Sequence, residues 1–425
     1  MKERTLRDPE IDRQLREFND AVKSAVVGRW DYVLERLAPS VAPSSTHLTK
    51  QVNCPLPSHG DTKKNFHFFR NTFDQLGNGI CNTCGPISGW RILQDVNGWS
   101  FVEAINEVGE LLGMEHPLKE KRRHAVNATP RQAPPAPKPK EDPAVVARKD
   151  RYARDAMNRT WQAAVGLDDA QGEVIRRYLA NRGLPNLPVT CTDLRAHPGL
   201  EYRWEVADDK FDVIGTFPAL LAMFRDKDGR PIALHRIYVD PDGSGKPKAL
   251  ATLDDGKPTN SKTTMTIPSD VTLVGGAVKI DPNPGPVLIL AEGVETALAV
   301  RAMLGLPVWA TLTANLLPVI VLPPQVKIVV VFADRDRSLA GETYGEKAVK
   351  AFREQGRVAT RYEPPFRIPE DGKTVDWADV VKAFGWSVAQ RQPFVQDFLA
   401  SLGKELEKQG LTWDDAYGGN ASVAA

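Results

Sequence analysis

Three acidic residues follow two short apolar runs in the last third of the 425-residue chain. Val287–Ala291 leads directly into Glu292, and Val329–Ala333 leads into Asp334 and Asp336. Ligands bind at the carboxyl ends of the strands in an open parallel sheet, so we expect these carboxylates at one edge. Three carboxylates repel one another unless a cation holds them, and oxygen ligands suit Mg²⁺ or Mn²⁺. The pattern predicts a divalent-metal site that binds phosphates.

Acidic residues also follow strands for a structural reason, because they often cap the helix that comes next. Asp-x-Asp alone is therefore a weak signal, and Glu292-Gly293 is weaker still. Together, about 40 residues apart and each after an apolar strand, they are much more specific. Glu292 is then the candidate general base or third metal ligand. The ligand role is favoured, because a nearby cation lowers the pKa of a carboxylate.

A second set of candidate ligands has the spacing C-x4-H-x21-C-x2-C and comprises Cys54, His59, Cys81 and Cys84. Two close ligand pairs separated by a longer segment are typical of a structural Zn²⁺ site. The gap within the first pair is wider than the usual two residues, so His47 and His67 are alternatives to His59. We interpret this segment as a zinc ribbon, which in other proteins often contacts nucleic acid.

The elements around these residues predict a multidomain α/β protein. Continuous apolar strands between helices favour a buried, mostly parallel sheet. Upstream, Ala219–Arg225 and Pro231–Val239 flank an Asp-Lys-Asp-Gly turn and predict a hairpin. The predicted parts are an N-terminal helical segment (1–45), a zinc-binding domain (46–115), a Pro-rich basic linker (116–150), a basic α/β subdomain (151–285), a catalytic α/β domain (286–385) and a C-terminal helix and tail (386–425).

Charge and hydropathy exclude some classes of protein. The formal net charge is +1, so nucleic-acid binding would depend on local patches such as the basic linker. That linker is either simply solvated or a flexible tether that dwells on phosphates. The apolar runs are too short to span a bilayer, and the first residues have mixed charge without an apolar core. We therefore expect a cytoplasmic protein without a membrane partner.

The acidic motifs resemble those of the Toprim domain of primases, type IA topoisomerases and related nucleases. Glu292-Gly293 is similar to the acidic-Gly motif of that family, and Asp334-x-Asp336 to its Asp-x-Asp motif. Asp376 and Asp379 stand where primase-type Toprim domains have another acidic cluster before a helix. The resemblance implies that these two residues contact the metal, whereas the alternative is that they cap the helix that ends at Phe384.

Two other segments resemble parts of primases. The segment with the zinc-ligand candidates, continued by Gly98-Trp99-Ser100-Phe101, is similar to the zinc-binding domain of phage- and plasmid-type primases. Gly229–Arg236 and Lys246–Leu250 resemble the basic subdomain beside Toprim in bacterial-type primases. This second resemblance implies that Arg236 and Lys248 contact nucleic acid or nucleotide, with Lys246 and Lys262 as adjacent candidates.

The combined resemblance implies a DNA primase, which makes short RNA primers on single-stranded DNA by divalent-metal-dependent nucleotidyl transfer. Its partners would be single-stranded DNA template and NTPs. A separate replicative helicase is also expected, because the chain has no P-loop: Gly243-Ser244-Gly245-Lys246 is followed by Pro247 where Ser or Thr is required. The resemblance points to a bacterial cell and a phage or plasmid gene. The alternatives are a Toprim-type nuclease and a non-catalytic zinc-ribbon protein that binds single-stranded DNA as a replication accessory.

Overall fold

The computed structural model divides the chain into two compact units, 1–142 and 143–425, which are described separately. It describes residues 9–42, 45, 48, 51–56, 64–69, 72–81, 85–117, 142–184, 191–207, 210–250, 260–337, 340–370, 372 and 374–418. No helix within those ranges is both long enough and apolar enough to cross a bilayer.

The first unit combines helices with a four-stranded antiparallel sheet of order β1-β2-β3-β4. Its helices are α1 (Pro9–Ala25), α2 (Trp30–Leu37), α3 (Phe73–Leu76), α4 (Gly89–Asn97) and α5 (Phe101–Leu111). Its strands are β1 (Val52–Asn53), β2 (Lys64–Phe68), β3 (Gly79–Cys81) and β4 (Gly85–Ile87). Helix α5 begins with a capping box, in which Ser100 and Glu103 each accept a hydrogen bond from the backbone N–H of the other.

The N-terminal helices and the small sheet share one apolar core. Trp30 of α2 is 1% exposed, and its indole Nε1 donates to the carbonyl oxygen of Gln75 at 3.2 Å. Gly77 and Gly89 lie directly against this ring, where a Cβ atom would come within 2.6 Å of it. Phe18 of α1 belongs to the same core. Helices α1 and α2, which belong to the predicted helical segment 1–45, therefore pack on the strands of the segment that follows.

The second unit begins with a helix where the linker was predicted to continue. Helix α6 extends over Pro143–Gln162, so residues 143–150 are helical, while most of the predicted linker lies outside the described residues. Proline is tolerated in the first turn of a helix because its missing N–H would have no partner there. Pro143, which lies within the predicted Pro-rich linker (116–150), instead starts the helix.

The second unit contains two main sheets and a set of surrounding helices. The strands are β5 (Leu194–Ala207), β6 (Lys210–Arg225), β7 (Pro231–Tyr238), β8 (Lys262–Thr264), β9 (Val278–Lys279), β10 (Val287–Ala291), β11 (Val308–Ala310), β12 (Ile328–Phe332), β13 (Arg335–Asp336), β14 (Val358–Tyr362) and β15 (Thr374–Val375). The helices after α6 are α7 (Glu173–Asn181), α8 (Val294–Leu304), α9 (Ala340–Glu354), α10 (Trp377–Phe384), α11 (Trp386–Ala389), α12 (Pro393–Lys408) and α13 (Trp413–Tyr417).

The predicted hairpin is the centre of a four-stranded antiparallel sheet of order β5-β6-β7-β8. The second main sheet has the order β14-β12-β10-β11-β9. Strands β10, β11, β12 and β14 are parallel to one another, and only the edge strand β9, which pairs with β11, is antiparallel. Both β10 and β12 are buried along their whole length, which explains why their sequences are continuously apolar. The predicted mixed α/β fold with a mostly parallel sheet is confirmed.

One apolar core extends through most of the second unit. It includes Leu220 and Phe224 from the antiparallel sheet, and Ile289 from the parallel sheet. Phe398 and Leu402 of α12 belong to it as well, so the C-terminal helix is an integral part of this unit. The core holds the two sheets and the helices between them in fixed positions around the carboxyl ends of the parallel strands.

Candidate active site

The register of the parallel sheet brings two predicted carboxylates to the same edge. Strands β10 and β12 are parallel neighbours in which Ala291 pairs with Phe332. Glu292 follows the end of one strand, and Asp334 follows two residues after the end of the other. Burial and the Asp336 carboxylate raise the pKa of Glu292 to about 7. Burial and the Glu292 carboxylate raise the pKa of Asp334 well above its usual value. The three candidates therefore act on one another electrostatically.

The backbone and one hydroxyl group hold these carboxylates in place. Thr296, in the first turn of α8, donates a hydrogen bond from Oγ1 to Asp334 Oδ1 at 3.2 Å. The N–H of Leu312 donates to the carbonyl oxygen of Glu292 at 2.8 Å. Leu312 has a φ of 66°, a left-handed conformation that costs a residue with a side chain about 1–2 kcal/mol. Backbone strain of this kind often occurs at functional sites. Here it lies directly beside the edge of the sheet formed by Glu292, Asp334 and Asp336, which we call the acidic edge.

Asp376 and Asp379 are the caps of α10. Asp376 Oδ1 accepts from the N–H of Asp379 at 2.9 Å, and Asp379 Oδ2 accepts from the N–H of Asp376 at 3.0 Å. The short pairing of β13 with β15 places Thr374 opposite Asp336, which brings the cap close to the acidic edge. Asp376 and Asp379 therefore cap α10, as the alternative prediction stated. Asp376 is also close enough to Asp334 to raise its pKa.

A buried carboxylate that the sequence analysis did not identify lies beside this edge. Glu295, in the first turn of α8, is 2% exposed and accepts a hydrogen bond from the hydroxyl of Tyr178. Arg182 Nε lies 3.3 Å from Glu295 Oε1, and the Lys262 ammonium forms an ion pair with Glu295 Oε2. Arg182 Nη2 also donates to Asp376 Oδ2 at 3.2 Å. Two cations thus join the acidic edge to α7 and β8.

The four basic residues that were predicted to contact nucleic acid or nucleotide lie in three different environments. Lys262 pairs with Ile237 across β8 and β7, whereas Arg236 pairs with Thr263, so the two basic side chains are on opposite faces of the sheet. Lys262 reaches the acidic edge, while the Arg236 guanidinium lies over the Tyr238 ring at 5.6 Å. Lys246 and Lys248 are exposed in the loop after β7, and Lys248 Nζ donates to Asp242 Oδ2 at 3.2 Å.

The carboxylate groups suit a hard divalent cation chemically. Their donors are all oxygen atoms, and burial with mutual repulsion raises the pKa of both Glu292 and Asp334. A cation would relieve that repulsion. Within the described part of the chain, however, no group of three or more His, Cys, Asp or Glu side chains is close enough together to hold a metal. The carboxylates of the acidic edge are therefore near enough to affect one another's pKa, but they are not arranged as the ligands of one metal ion.

Half of the predicted zinc site lies within the described residues. Strands β1 and β3 both pair antiparallel with β2 and end toward Lys64. Cys54 directly follows β1, and Cys81 is the last residue of β3, so both lie toward one end of the sheet. Cys81 is buried and Cys54 is half-buried. His59 and Cys84 lie outside the described residues, so the zinc site stays a prediction.

Comparison with known proteins identifies the parallel sheet and its helices. Residues 287–386 match the family model of the Toprim domain, and residues 151–259 match a domain of unknown function, DUF7146. No curated protein matches the chain.

Similar solved structures are primase domains. The Aquifex aeolicus primase, with its zinc-binding and RNA polymerase domains, is 13% identical with a TM-score of 0.34, and the match covers 89% of each chain. The DnaG primase catalytic domain bound to ssDNA is 16% identical with a TM-score of 0.35, covering 63% of this chain and 94% of that one. The RNA polymerase domain of Mycobacterium tuberculosis primase is 14% identical with a TM-score of 0.33, covering 57% and 82%. The predicted resemblance of the catalytic α/β domain (286–385) to the Toprim domain is confirmed by the family model over residues 287–386, which include Glu292, Asp334 and Asp336.

Proposed function

We propose that this protein is a DNA primase that synthesises short RNA primers on single-stranded DNA. The observation that carries the proposal is the gathering of Glu292, Asp334 and Asp336 at the carboxyl edge of a sheet that matches the Toprim domain. Basic residues on the adjacent antiparallel sheet support it, because one of them, Lys262, reaches that edge.

In this proposal the three carboxylates hold Mg²⁺ or Mn²⁺, and Asp376 and Asp379 lie in the next layer or contact the metal directly. A bound cation would lower the pKa of the primer 3′-hydroxyl and neutralise charge on the leaving pyrophosphate. The chain itself supplies the positioning. Thr296 orients Asp334 by its hydrogen bond, and the ammonium of Lys262 lowers the pKa of both Glu292 and Asp334, which favours their ionised forms.

The first unit would bind template through a zinc ribbon held by Cys54, His59, Cys81 and Cys84. Arg236, Lys246 and Lys248 would contact nucleic acid, with Arg236 doing so from the other face of the antiparallel sheet. The replicative helicase would be a separate protein, and the gene would belong to a phage or plasmid in a bacterial cell. The proposed domain borders are those predicted from the sequence, except that the basic α/β subdomain begins at Pro143, the first residue of the second unit.

The central test is primer synthesis by an active-site variant. Full-length protein is incubated with single-stranded DNA, labelled NTPs and Mg²⁺ or Mn²⁺, beside Asp334→Asn. We expect labelled oligonucleotides from wild type and a loss of at least about 100-fold in the variant, because its neutral amide no longer supplies the charge that a cation requires. Asp397→Asn, an exposed change on α12, is the matched control and should prime like wild type.

Two results would replace the proposal with its alternatives. Nicking of the template by wild type without NTP incorporation would indicate a Toprim-type nuclease. Template binding with neither product would indicate a non-catalytic accessory protein. The buried and mutually interacting carboxylates favour an enzyme over that second alternative, because burying them without a function would only destabilise the fold.

A further inference from the structure

Glu295 stands at the meeting point of three parts of the second unit. Its carboxylate is in the first turn of α8, Lys262 comes from the antiparallel sheet, and Arg182 follows the end of α7. The side chain of Glu295 is 3% exposed, whereas that of Lys262 is 48% exposed. A buried anion therefore holds a lysine whose outer part is open to solvent.

The ion pair directs the Lys262 charge to the acidic edge. The Lys262 ammonium lowers the pKa of both Glu292 and Asp334, so it acts on both proposed metal ligands. An ammonium group has three hydrogen-bond donors, and the ion pair with Glu295 Oε2 occupies one side of it. The exposed side leaves donors for an oxygen ligand from solution. Next to a cation site for phosphate chemistry, that ligand would be a phosphate oxygen.

Lysine is a poor phosphate ligand when its flexible chain must be ordered at every binding event. A long side chain loses its rotamer freedom when it is fixed, and that loss weakens binding unless the side chain is already held. Glu295 holds it through a charge-assisted contact inside the protein. Arg182 and the Tyr178 hydroxyl fix Glu295 in turn, so the carboxylate itself has little freedom.

We propose that Glu295 is a positioning residue for substrate phosphate: its buried carboxylate fixes the Lys262 ammonium beside Glu292 and Asp334, where that ammonium contacts a phosphate of the incoming nucleotide. This inference rests on the proposed primase function. Glu295 does not touch the substrate in this scheme and acts through Lys262. If the ion pair were only structural, breaking it would lower the stability of the fold without changing nucleotide binding.

The test measures how Glu295→Gln changes nucleotide binding in the full-length protein. We expect a rise of about 10- to 100-fold in the KM for NTP with kcat little changed, since a charge-assisted hydrogen bond is lost from binding. Isothermal titration with NTP and Mg²⁺ should show the same weakening of the Kd. Glu295→Asp keeps the charge with a shorter side chain and should give an intermediate KM, which also covers the case in which Glu295→Gln does not fold.

A double variant tests whether Glu295 acts through Lys262. Lys262→Met alone should raise the KM for NTP, and adding Glu295→Gln should raise it no further, because the group that Glu295 positions is already absent. Fully additive effects would overturn the inference.

Asp281→Asn is the matched control for broken buried pairs. Asp281 is 1% exposed, pairs with Arg301 at 2.9 Å and accepts from the N–H of Val308, the first residue of β11, so it lies at the opposite edge of the sheet. It should lower the thermal stability but leave the KM for NTP unchanged. An equal rise in KM for Asp281→Asn and Glu295→Gln would make Glu295 a structural residue only.

The outcomes distinguish this inference from the proposed function. Wild type that binds NTP but makes no primers would overturn the primase proposal alone, and the Kd values would still test Glu295. Wild type that primes, with Glu295→Gln unchanged in KM and Kd, would overturn the inference alone. Wild type that does not bind NTP at all would overturn both.

Discussion

At the scale of single residues, two neighbouring carboxylates at the acidic edge have pKa values that are shifted in opposite directions. Glu292 and Glu295 are three residues apart, yet burial with Asp336 raises the pKa of Glu292 to about 7. Burial alone would also raise the pKa of Glu295, but Lys262 and Arg182 outweigh it and hold that pKa below its usual value. The Glu-Gly-x-Glu sequence does not distinguish them, since neighbouring charges from distant segments decide the outcome.

This is also why Glu292 could be predicted as a site residue from the sequence and Glu295 could not. Glu292 directly follows an apolar strand, and strand ends in parallel sheets are where ligands bind. Glu295 acquires its role from Tyr178, which is 117 residues earlier in the chain, and from Arg182 and Lys262. A single sequence has no local signal for such a contact.

His235 predicts a pH dependence of stability. It lies on β7 with its Nδ1 atom 3.2 Å from Thr264 Oγ1, and the charged groups acting on it are Lys262, Glu295 and Arg236. Burial, assisted by Lys262, lowers its pKa from 6.5 to about 4. The unfolded chain therefore binds a proton between these values while the folded protein does not. Stability from this group is present above pH 6.5 and is lost as the pH falls toward 4.

The measurement compares the free energy of unfolding of wild type and His235→Gln across pH 4–8. We expect wild type to lose on the order of 2–3 kcal/mol more than the variant between pH 7 and pH 4, because only wild type has this titrating group. Above pH 7 the difference between the two proteins should be constant. A difference that does not change between pH 4 and 7 would show that His235 is readily protonated in the folded protein.

At the scale of elements, sequence patterns located the buried strands accurately. Strand β10 has the predicted bounds, Val287–Ala291, and β12 (Ile328–Phe332) lies within one residue of the predicted run Val329–Ala333. Their apolar runs are short and bounded by turn residues or carboxylates, so length and burial together define them. The hairpin was also predicted, because its Asp-Lys-Asp-Gly turn lies between two apolar segments.

The long strand β5 escaped prediction for an identifiable reason. Its sequence contains Pro198-Gly199, which indicates a turn. The pairing of β5 with β6 shifts register between His197 and Leu200, so the two residues lie in a bulge and the strand continues beyond them. Bulges accept proline and glycine because the ladder is interrupted there.

The cap of α10 predicts how Asp379 will respond to substitution. Asp379→Ala removes the acceptor for the Asp376 N–H and should lower the free energy of unfolding by about 1 kcal/mol. Asp379→Asn keeps a carbonyl oxygen and should cost less. Urea unfolding measures the stability, and a Mn²⁺ titration of the same variants should give an unchanged affinity. A large loss of Mn²⁺ affinity in Asp379→Asn at normal stability would instead make Asp379 a metal ligand.

At the scale of the whole molecule, each unit has an apolar core of its own. The core around Trp30 consists of residues from the first unit, and a smaller core around Phe352, separate from the one that contains Ile289, consists of residues from the second. Trp30→Ala should therefore destabilise the first unit by about 3–5 kcal/mol, since an indole that is 1% exposed would be replaced by a cavity. Differential scanning calorimetry should show one transition moved and the other retained.

Phe352→Ala is the reciprocal control for that experiment. This side chain is fully buried between α9 and the parallel sheet, so the substitution should move the other transition. If both variants moved both transitions equally, the units would unfold as one, and the separation into two cores would have no thermodynamic consequence.

The continuous core of the second unit also limits how its domains can be exchanged between proteins. The family models divide this unit at residues 259 and 287, but the core crosses that border and extends to α12. A chimera that received only residues 287–386 from a relative would leave Tyr178, Arg182 and Lys262 facing a foreign helix. If that helix lacked the buried carboxylate of Glu295, Arg182 and Lys262 would lose their ion-pair partner, and the graft would be destabilised even if its apolar surfaces fitted. Successful recombination should therefore transfer residues 143–418 together. The smallest segment that can be exchanged between proteins is then larger than the Toprim domain that the family model recognises at residues 287–386.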